Sequence, residues 1–257
     1  MIGPDADLTV VVPARDEAPT IGPVVTRCRQ LAHEVLVVDG GSHDGTADLA
    51  RAAGARVIRD HGRGKGDAIR TAIDAVRTSI AVFIDADGSH DADDIPRLVA
   101  PIREGRADHV SASRLLGGSS ELHGGFDEFF RLAGSAFITA CINRRFGVRL
   151  SDSQNGFRAI RTDVLRRLGL RENSTTIEQE MVIKTLAGGF RLIEVPSHEW
   201  PRRFGESHIR LWRVAPRYAY CLCWNLAAHR RPTARPEPRQ RTIRPAADPT
   251  VLAGRRR

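Results

Sequence analysis

Residues 80–91 read Ile-Ala-Val-Phe-Ile-Asp-Ala-Asp-Gly-Ser-His-Asp. Five apolar residues without a break make Ile80–Asp85 a strand buried on both faces, the pattern of a parallel sheet covered on each side. The run ends in Asp85-Ala86-Asp87, so two carboxylates leave the end of a buried strand together. Two such charges repel unless a cation sits between them. Hard oxygen ligands suit Mg2+ or Mn2+, which would then grip phosphate oxygens.

The same arrangement recurs twice upstream. Leu8–Pro13 carries three successive valines and runs into Arg15-Asp16-Glu17. Val35–Asp39 runs into Gly40-Gly41-Ser42-His43-Asp44. Helical stretches are expected over Thr20–Leu31, Asp44–Ala53, Lys65–Val76 and Asp93–Arg103, with short strands at Arg56–Arg59 and Val110–Arg114. Strands alternating with helices of this length predict βαβ units and a mostly parallel sheet, an α/β fold. Ligands of such sheets bind beyond the carboxyl ends of the strands. One Asp-rich strand end is ordinary turn chemistry; three on one edge point to a binding site. Gly62–Asp67 opens a helix, but no Ser or Thr follows Lys65 and the loop does not follow the first strand. It is therefore neither a Walker loop nor a dinucleotide fingerprint. It reads either as a phosphate loop using Lys65 and backbone N–H groups or as a plain loop.

Beyond residue 120 the periodicity loosens. Helices are expected at Phe126–Phe146 and Ile177–Ala187, and strands at Gly156–Arg161 and Phe190–Pro196. Glu178 and Glu180 are the candidates for a general base. Positions i and i+2 do not share a helix face, so at most one of them faces a cleft. Residues 207–228 mix Trp212, Tyr218, Tyr220 and Trp224 with Arg210, Arg213 and Arg217. Packing on the domain is expected for 207–217, and contact with an anionic membrane surface for 218–257.

Composition bounds the class. The 257 residues are 41% hydrophobic and 27% charged, ordinary for a soluble globular protein. Residues 229–257 hold nine Arg and two acids, so this stretch carries +7 of the +8 net charge and the rest is near neutral. That excludes a basic nucleic-acid-binding body, and no nucleic-acid partner is expected. The same stretch, rich in Pro and Arg, is expected to be a disordered tail. No run of apolar residues is long enough to span a membrane. The N-terminus lacks a signal-peptide pattern, and the four cysteines form no C-x-x-C pair. The expected location is cytoplasmic, with peripheral contact at the inner face of the membrane left open.

Seven segments then occur in a telling order: VVPARDEAPTIG (11–22), VVDGGSHDGT (37–46), GRGKGDAIR (62–70), DADGSHDADDIP (85–96), SASR (111–114), DSQNGFRAIR (152–161) and RRFGES (202–207). Together they resemble the family 2 inverting glycosyltransferases, nearest the dolichol-phosphate mannose synthase and polyprenyl-phosphate glycosyltransferase group, over about residues 8–210. The resemblance implies a GT-A fold. Its domain would cover 1–228, with a nucleotide-sugar half over 8–118 and an acceptor half over 119–228. It also implies that Pro13, Arg15, Glu17, Asp39, Lys65, Asp85 and Ala86 hold the nucleotide-sugar, and that Asp85, Asp87 and Ser89 hold Mg2+ or Mn2+. Asp87, Arg114, Arg131 and Arg202 would serve catalysis, the three arginines facing donor or acceptor phosphate. Asp152 and Gly156-Phe157 would lie near the acceptor, and Gly205 and Ser207 would close over the donor with Arg202.

The chain departs from the family pattern at three positions. Gly40 stands where a second Asp is usual, Ser89 where Gln is frequent, and His208 where Lys often follows. The implied activity is hexose transfer from a nucleotide diphosphosugar, of GDP-mannose or UDP-glucose type, to a phosphorylated acceptor, polyprenyl phosphate foremost. The alternative is a soluble hydroxyl acceptor such as a natural-product or glycan intermediate. A sugar-1-phosphate nucleotidyltransferase would need a glycine-rich loop where this chain has PARDEA. A non-catalytic binder with a degenerate site is opposed by the two intact carboxylates.

Overall fold

The computed structural model describes residues 5–120, 126–201 and 211–229, with the side chains among them except those of 126–131 and 211–214. In chain order the elements begin β1 (Asp5–Ala14), α1 (Ala18–Arg29), β2 (Ala32–Asp39), α2 (Thr46–Ala52), β3 (Arg56–Arg59), α3 (Lys65–Ala75) and β4 (Ile80–Phe83). A 3-10 turn at Ala92–Asp94 leads into α4 (Ile95–Arg103), followed by β5 (His109–Ser113), α5 (Arg114–Gly117) and α6 (Phe126–Phe146). The chain continues through β6 (Arg158–Arg161), α7 (Thr162–Arg167), α8 (Ile177–Ala187), β7 (Leu192–Pro196) and α9 (Leu211–Ala228).

Seven strands form one sheet in the order β3-β2-β1-β4-β6-β5-β7. All neighbours pair in parallel except those of β6, which runs antiparallel to both β4 and β5. The chain leaves β1 toward β2 and β3, then returns to place β4 on the other side of β1. That reversal opens a crevice at the carboxyl ends of β1 and β4, where α/β sheets take their ligands.

The sheet is covered on both faces, as its unbroken apolar strands require. Val10, Val12, Val35, Val37 and Val82 share one core cluster with residues of α1 and α4. Val11, Leu36, Val38, Ala81 and Phe83 point the other way, into a cluster with residues of α3, α7 and α8. A third cluster joins α6, α8 and α9 through Ile138, Ile142, Ile183, Leu186 and Leu222.

The short helices α5 and α7 fall outside the sequence expectations, because one or two turns carry too little periodicity to be read. The expectation for 207–228 is revised at residue 217. Cys221, Leu222 and Asn225 are buried, and Tyr218 and Leu226 pack on the third cluster, so α9 docks on the domain well past that point. No helix among the described residues is long and apolar enough to cross a membrane. The tail expected over 229–257 lies, beyond His229, outside the described residues.

Candidate functional site

The strand ends are locked to one another before any ligand enters. Asp16 adopts a left-handed backbone (φ 55°), the one non-glycine residue to do so among those described. Asp tolerates this conformation because its short polar side chain bonds locally. Here the Asp16 amide donates to Ser42 Oγ, and its carboxylate accepts the His43 amide at 2.8 Å. Glu17 N donates to Thr46 Oγ1 and Ala18 N to Asp44 Oδ2. The loop after β1 is thereby fastened to the loop after β2.

Between these loops and the helices α6 and α9 lies a cavity of about 590 Å³. Its strand-end side is lined by Pro13, Arg15, Glu17, Lys65, Asp85, Ala86 and Asp87. Arg114, Gly156, Glu178 and Glu199 line its middle, and Ile138, Tyr218 and Leu222 the helical side. Among the described residues, six carboxylates (Glu17, Asp60, Asp85, Asp87, Glu178, Glu199) and three permanent cations (Arg15, Lys65, Arg114) stand in that lining.

Lys65 begins α3, and its ammonium bridges Asp85 Oδ1 at 2.5 Å and Glu178 Oε1 at 2.8 Å. Burial by itself would lower the Lys65 pKa; the two carboxylates outweigh it and hold the ammonium protonated above the usual lysine range. The chain must pass very close here. A Cβ on Gly156 would lie 2.7 Å from Lys65 Nζ and 2.9 Å from Asp85 Oδ2. The glycine of the Gly156-Phe157 segment is thus explained by the ion pair beside it.

Several amides around the Gly62–Asp67 loop are bound within the protein. Asp67 accepts the His61 amide at 2.9 Å, Asp60 Oδ1 accepts the Gly62 amide at 2.6 Å, and the Gly66 amide donates to Asn173 O at 2.9 Å. Burial, with Asp67 and Asp39 adding repulsion, holds the Asp60 carboxyl above its ordinary range.

Asp87 is oriented by Ser89, whose hydroxyl donates to Asp87 Oδ1 at 2.7 Å and whose amide donates to the same oxygen at 3.0 Å. Ser89, expected as a third metal ligand, thus spends both its hydroxyl and its amide hydrogen on Asp87. The carboxylate of Asp39, expected at the nucleotide, accepts the Gly41 and Ser42 amides and closes the turn after β2. Gly40 lines the cavity, and a Cβ there would find ordinary contact with Arg15 Cβ at 3.4 Å. The missing Asp is therefore not excluded by space.

His90 lines the wall next to Asp87 and packs on Phe157, ring centroids 5.2 Å apart. Burial pushes its imidazole below the usual range against the pull of Asp85, Glu199 and Asp87.

Arg114 reaches the cavity already engaged. Its guanidinium binds Asp152 through Nε–Oδ2 at 2.6 Å and Nη2–Oδ1 at 3.0 Å, and Glu199 through Nη1 at 3.4 Å. Burial would raise the Asp152 pKa, but Arg114 outweighs it and holds the carboxyl low. Two carboxylates thus share this arginine. The side chain of Arg131 and all of Arg202, Gly205, Ser207 and His208 lie outside the described residues.

Glu178 and Glu180 divide as helix geometry requires. Glu178 faces the cavity; Glu180 turns away to pair with Lys184 at 2.7 Å and to accept the Arg171 and Glu172 amides. Besides Asp60, which follows β3, Glu199 is a lining acid that sequence reasoning missed. It follows β7, whose carboxyl end shares the edge of β5 and β1, and the strand-end rule applied to β7 would have found it.

The donor set fits a hard divalent cation that completes its coordination with ligand phosphates. Among the described residues no group of three or more His, Cys, Asp or Glu could hold a metal unaided. Mg2+ commonly takes one or two carboxylates from a protein when phosphates supply the rest, and Asp85 and Asp87 could supply them.

Comparison with known proteins agrees with this geometry. The solved structure of glucosyl-3-phosphoglycerate synthase from Mycobacterium tuberculosis, with Mn2+, UDP-glucose and phosphoglyceric acid, superposes with a TM-score of 0.69 at 24% identity, covering 86% of this chain and 79% of that one. The shared architecture is the GT-A fold. Glycosyltransferase AglJ of Haloferax volcanii is 32% identical over 205 residues, 79% of this chain and 66% of that protein. The undecaprenyl-phosphate mannosyltransferase of Micrococcus luteus is 30% identical over 233 residues, 85% of this chain and 93% of that protein. The dolichyl-phosphate hexose transferase of Haloferax volcanii is 30% identical over 206 residues, 79% of this chain and 86% of that protein. Residues 9–169 match the sequence profile described as glycosyl transferase family 2, and the chain belongs to that family.

Proposed function

We propose that the protein transfers a hexose, with inversion, from a nucleotide diphosphosugar to a polyprenyl phosphate. The observation that carries this reading is one cavity with two unlike walls. The strand-end wall holds paired acids and Lys65; the helical wall is apolar, built from Ile138, Leu222 and the body of Tyr218. The names of the Micrococcus and Haloferax relatives supply the acceptor class.

In this reading Pro13, Arg15 and Glu17 border the nucleoside, and Lys65 lies against the diphosphate. Asp85 and Asp87 would hold Mg2+ or Mn2+. When bound, the cation would stabilise negative charge on the departing nucleoside diphosphate. A phosphate acceptor is anionic near neutral pH and needs no general base. With Arg114 clamped by Asp152 and Glu199, the charge that holds the acceptor phosphate falls to Arg131 and Arg202, since guanidinium binds phosphate bidentately. Burial pushes the Tyr218 phenol up to about 12, so it stays a neutral hydroxyl in the wall. Peripheral membrane contact belongs to the same proposal, because the acceptor's phosphate sits at a lipid surface.

The test incubates the protein with radiolabelled GDP-mannose or UDP-glucose, polyprenyl phosphate and Mn2+, then extracts the lipid product. Label in the lipid phase, lost with EDTA and reduced in Arg131→Ala without loss of nucleotide affinity, is the expected result. Transfer only to water or to soluble hydroxyl acceptors would overturn the acceptor assignment. The hydroxyl-acceptor reading is favoured by one observation, the Glu178 carboxylate in the cavity wall, and opposed by the commitment of its Oε1 to Lys65.

A further inference from the structure

The reading above uses Glu178 only as a partner of Lys65, and half of that carboxylate is unaccounted for. Glu178 stands in the first turn of α8, is 4% exposed, and lines the cavity. Its Oε1 takes the Lys65 ammonium, but its Oε2 is buried with no hydrogen-bond partner among the described residues. A buried carboxylate oxygen is costly to leave without a donor. The groups packed nearby are spent or out of reach. Arg158 Nη1 donates to the Glu178 main-chain oxygen at 3.1 Å, Arg158 Nε reaches no acceptor, and Tyr218 Oη donates to Thr175 Oγ1 at 2.8 Å.

Lys65 lies between Asp85 and Glu178, so the two carboxylates stand on opposite sides of one ammonium. Asp85 belongs to the edge that meets the diphosphate. The next group along a nucleotide diphosphosugar is the hexose, which the inference assigns to the Glu178 side. Because Lys65 already compensates the charge of Glu178, the orphaned oxygen calls for a neutral donor and not for a second cation.

We propose that Glu178 Oε2 accepts a hydrogen bond from a ring hydroxyl of the transferred hexose, which makes Glu178 a sugar-reading residue. This rests on the nucleotide-sugar reading of the site.

Calorimetry with Mn2+ present separates the two ideas. The ligands are UDP, UDP-glucose, GDP and GDP-mannose, each with the wild-type protein and with Glu178→Gln, which keeps an oxygen for Lys65. The sugar-bearing form of the preferred nucleotide should bind the variant about tenfold more weakly or worse, while the free diphosphate changes less than about twofold. Equal weakening of both would show that Glu178 acts only through Lys65, and no change in either would show that it touches nothing; both results overturn the proposal. If the wild-type protein binds no nucleoside diphosphate, the donor reading fails and takes this inference with it. Should the variant not fold, deoxy donors with the wild-type protein decide. Removal of one particular ring hydroxyl should reproduce the loss, and indifference to every hydroxyl would overturn the assignment.

Discussion

On the strand-end side of the cavity, position is fixed by backbone and by short polar links. Asp16, Thr46 and Asp44 tie two loops together, Ser89 sets Asp87, and Gly156 admits the Lys65–Asp85 pair. On the helical side the wall is made of side chains on α6 and α9, small or apolar, with Gly134, Ser135 and Ala219 beside Ile138 and Leu222. The first side can recognise charge only where its groups stand, since moving a carboxylate by an ångström changes what it binds. The second offers area without direction, which suits a flexible hydrocarbon and tolerates change. If this contrast is sound, small substitutions on the strand-end side should cost function out of proportion to their size, and those on the helical side should not.

The largest effect is expected at Asp87. Asp87→Asn keeps the shape and the Ser89 hydrogen bond but removes the charge, and transfer should fall at least about a hundredfold, roughly 2.7 kcal/mol. The thermal midpoint should hold. A variant retaining more than about a tenth of the wild-type rate would remove Asp87 from the metal site and flatten the contrast.

Asp152 tests the clamp on Arg114. Asp152→Asn leaves a buried guanidinium with a poorer partner and should destabilise the protein by about 3 kcal/mol. The effect has a definite pH dependence. The Asp152 carboxyl titrates below its ordinary value of 3.8 because Arg114 overrides burial. A depressed acid contributes stability above its unfolded pKa and loses it as pH falls through the folded value. The difference between wild type and variant in urea melts should therefore be full at pH 7 and shrink below about pH 4. A difference unchanged at pH 3 would mean that packing, not charge, holds the pair.

How much of this was open to sequence reading follows from what each feature depends on. The parallel strands and their acidic ends were legible, because a run as short and as rich in β-branched and aromatic residues as IAVFI favours a strand buried on both faces, and the strand-end rule is topological. That at most one of Glu178 and Glu180 faces inward was legible too, since helix geometry forbids both. Which one does so was not, because it depends on α8 meeting Lys65, which lies 113 positions earlier. Two residues were placed by motif, which does not show their local bonding. Asp39 and Ser89 belong to the right loops, but their side chains turn to nearby amides and to Asp87, and local hydrogen bonding of that kind leaves no periodic signal. Glu199 was missed because β7 was read as a strand without following its direction.

Gly156→Ala sharpens the contrast within the strand-end side. The added methyl group would sit 2.7 Å from Lys65 Nζ and 2.9 Å from Asp85 Oδ2, the tips of two side chains that can yield. Stability should therefore change by less than about 1 kcal/mol. Donor affinity should fall about tenfold, about 1.4 kcal/mol, because yielding separates the pair proposed to meet the diphosphate. Equal losses in stability and affinity would place Gly156 among ordinary packing positions.

The smallest effect is expected on the outer face of α9. Tyr220 and Trp224 are 63% and 56% exposed and stack with an interplanar angle of 16°. They stand one helical turn apart on the side opposite Cys221 and Leu222, which are buried. Replacing both by Ser should shift stability by no more than about 0.5 kcal/mol, since exposed side chains away from a built feature contribute little. The amphipathic rings of Tyr and Trp favour the boundary between lipid and water. Residues 229–257 add +7 of charge, each basic group near an anionic surface contributing about 1 kcal/mol. Cosedimentation with phosphatidylglycerol vesicles should therefore drop several-fold in the double variant, drop further when 229–257 is removed, and weaken with salt in the wild type. Soluble donor hydrolysis should be untouched in both variants. If the wild-type protein stays in the supernatant at low salt, the helical side of the cavity loses its membrane setting, and a soluble acceptor becomes the better occupant of that wall.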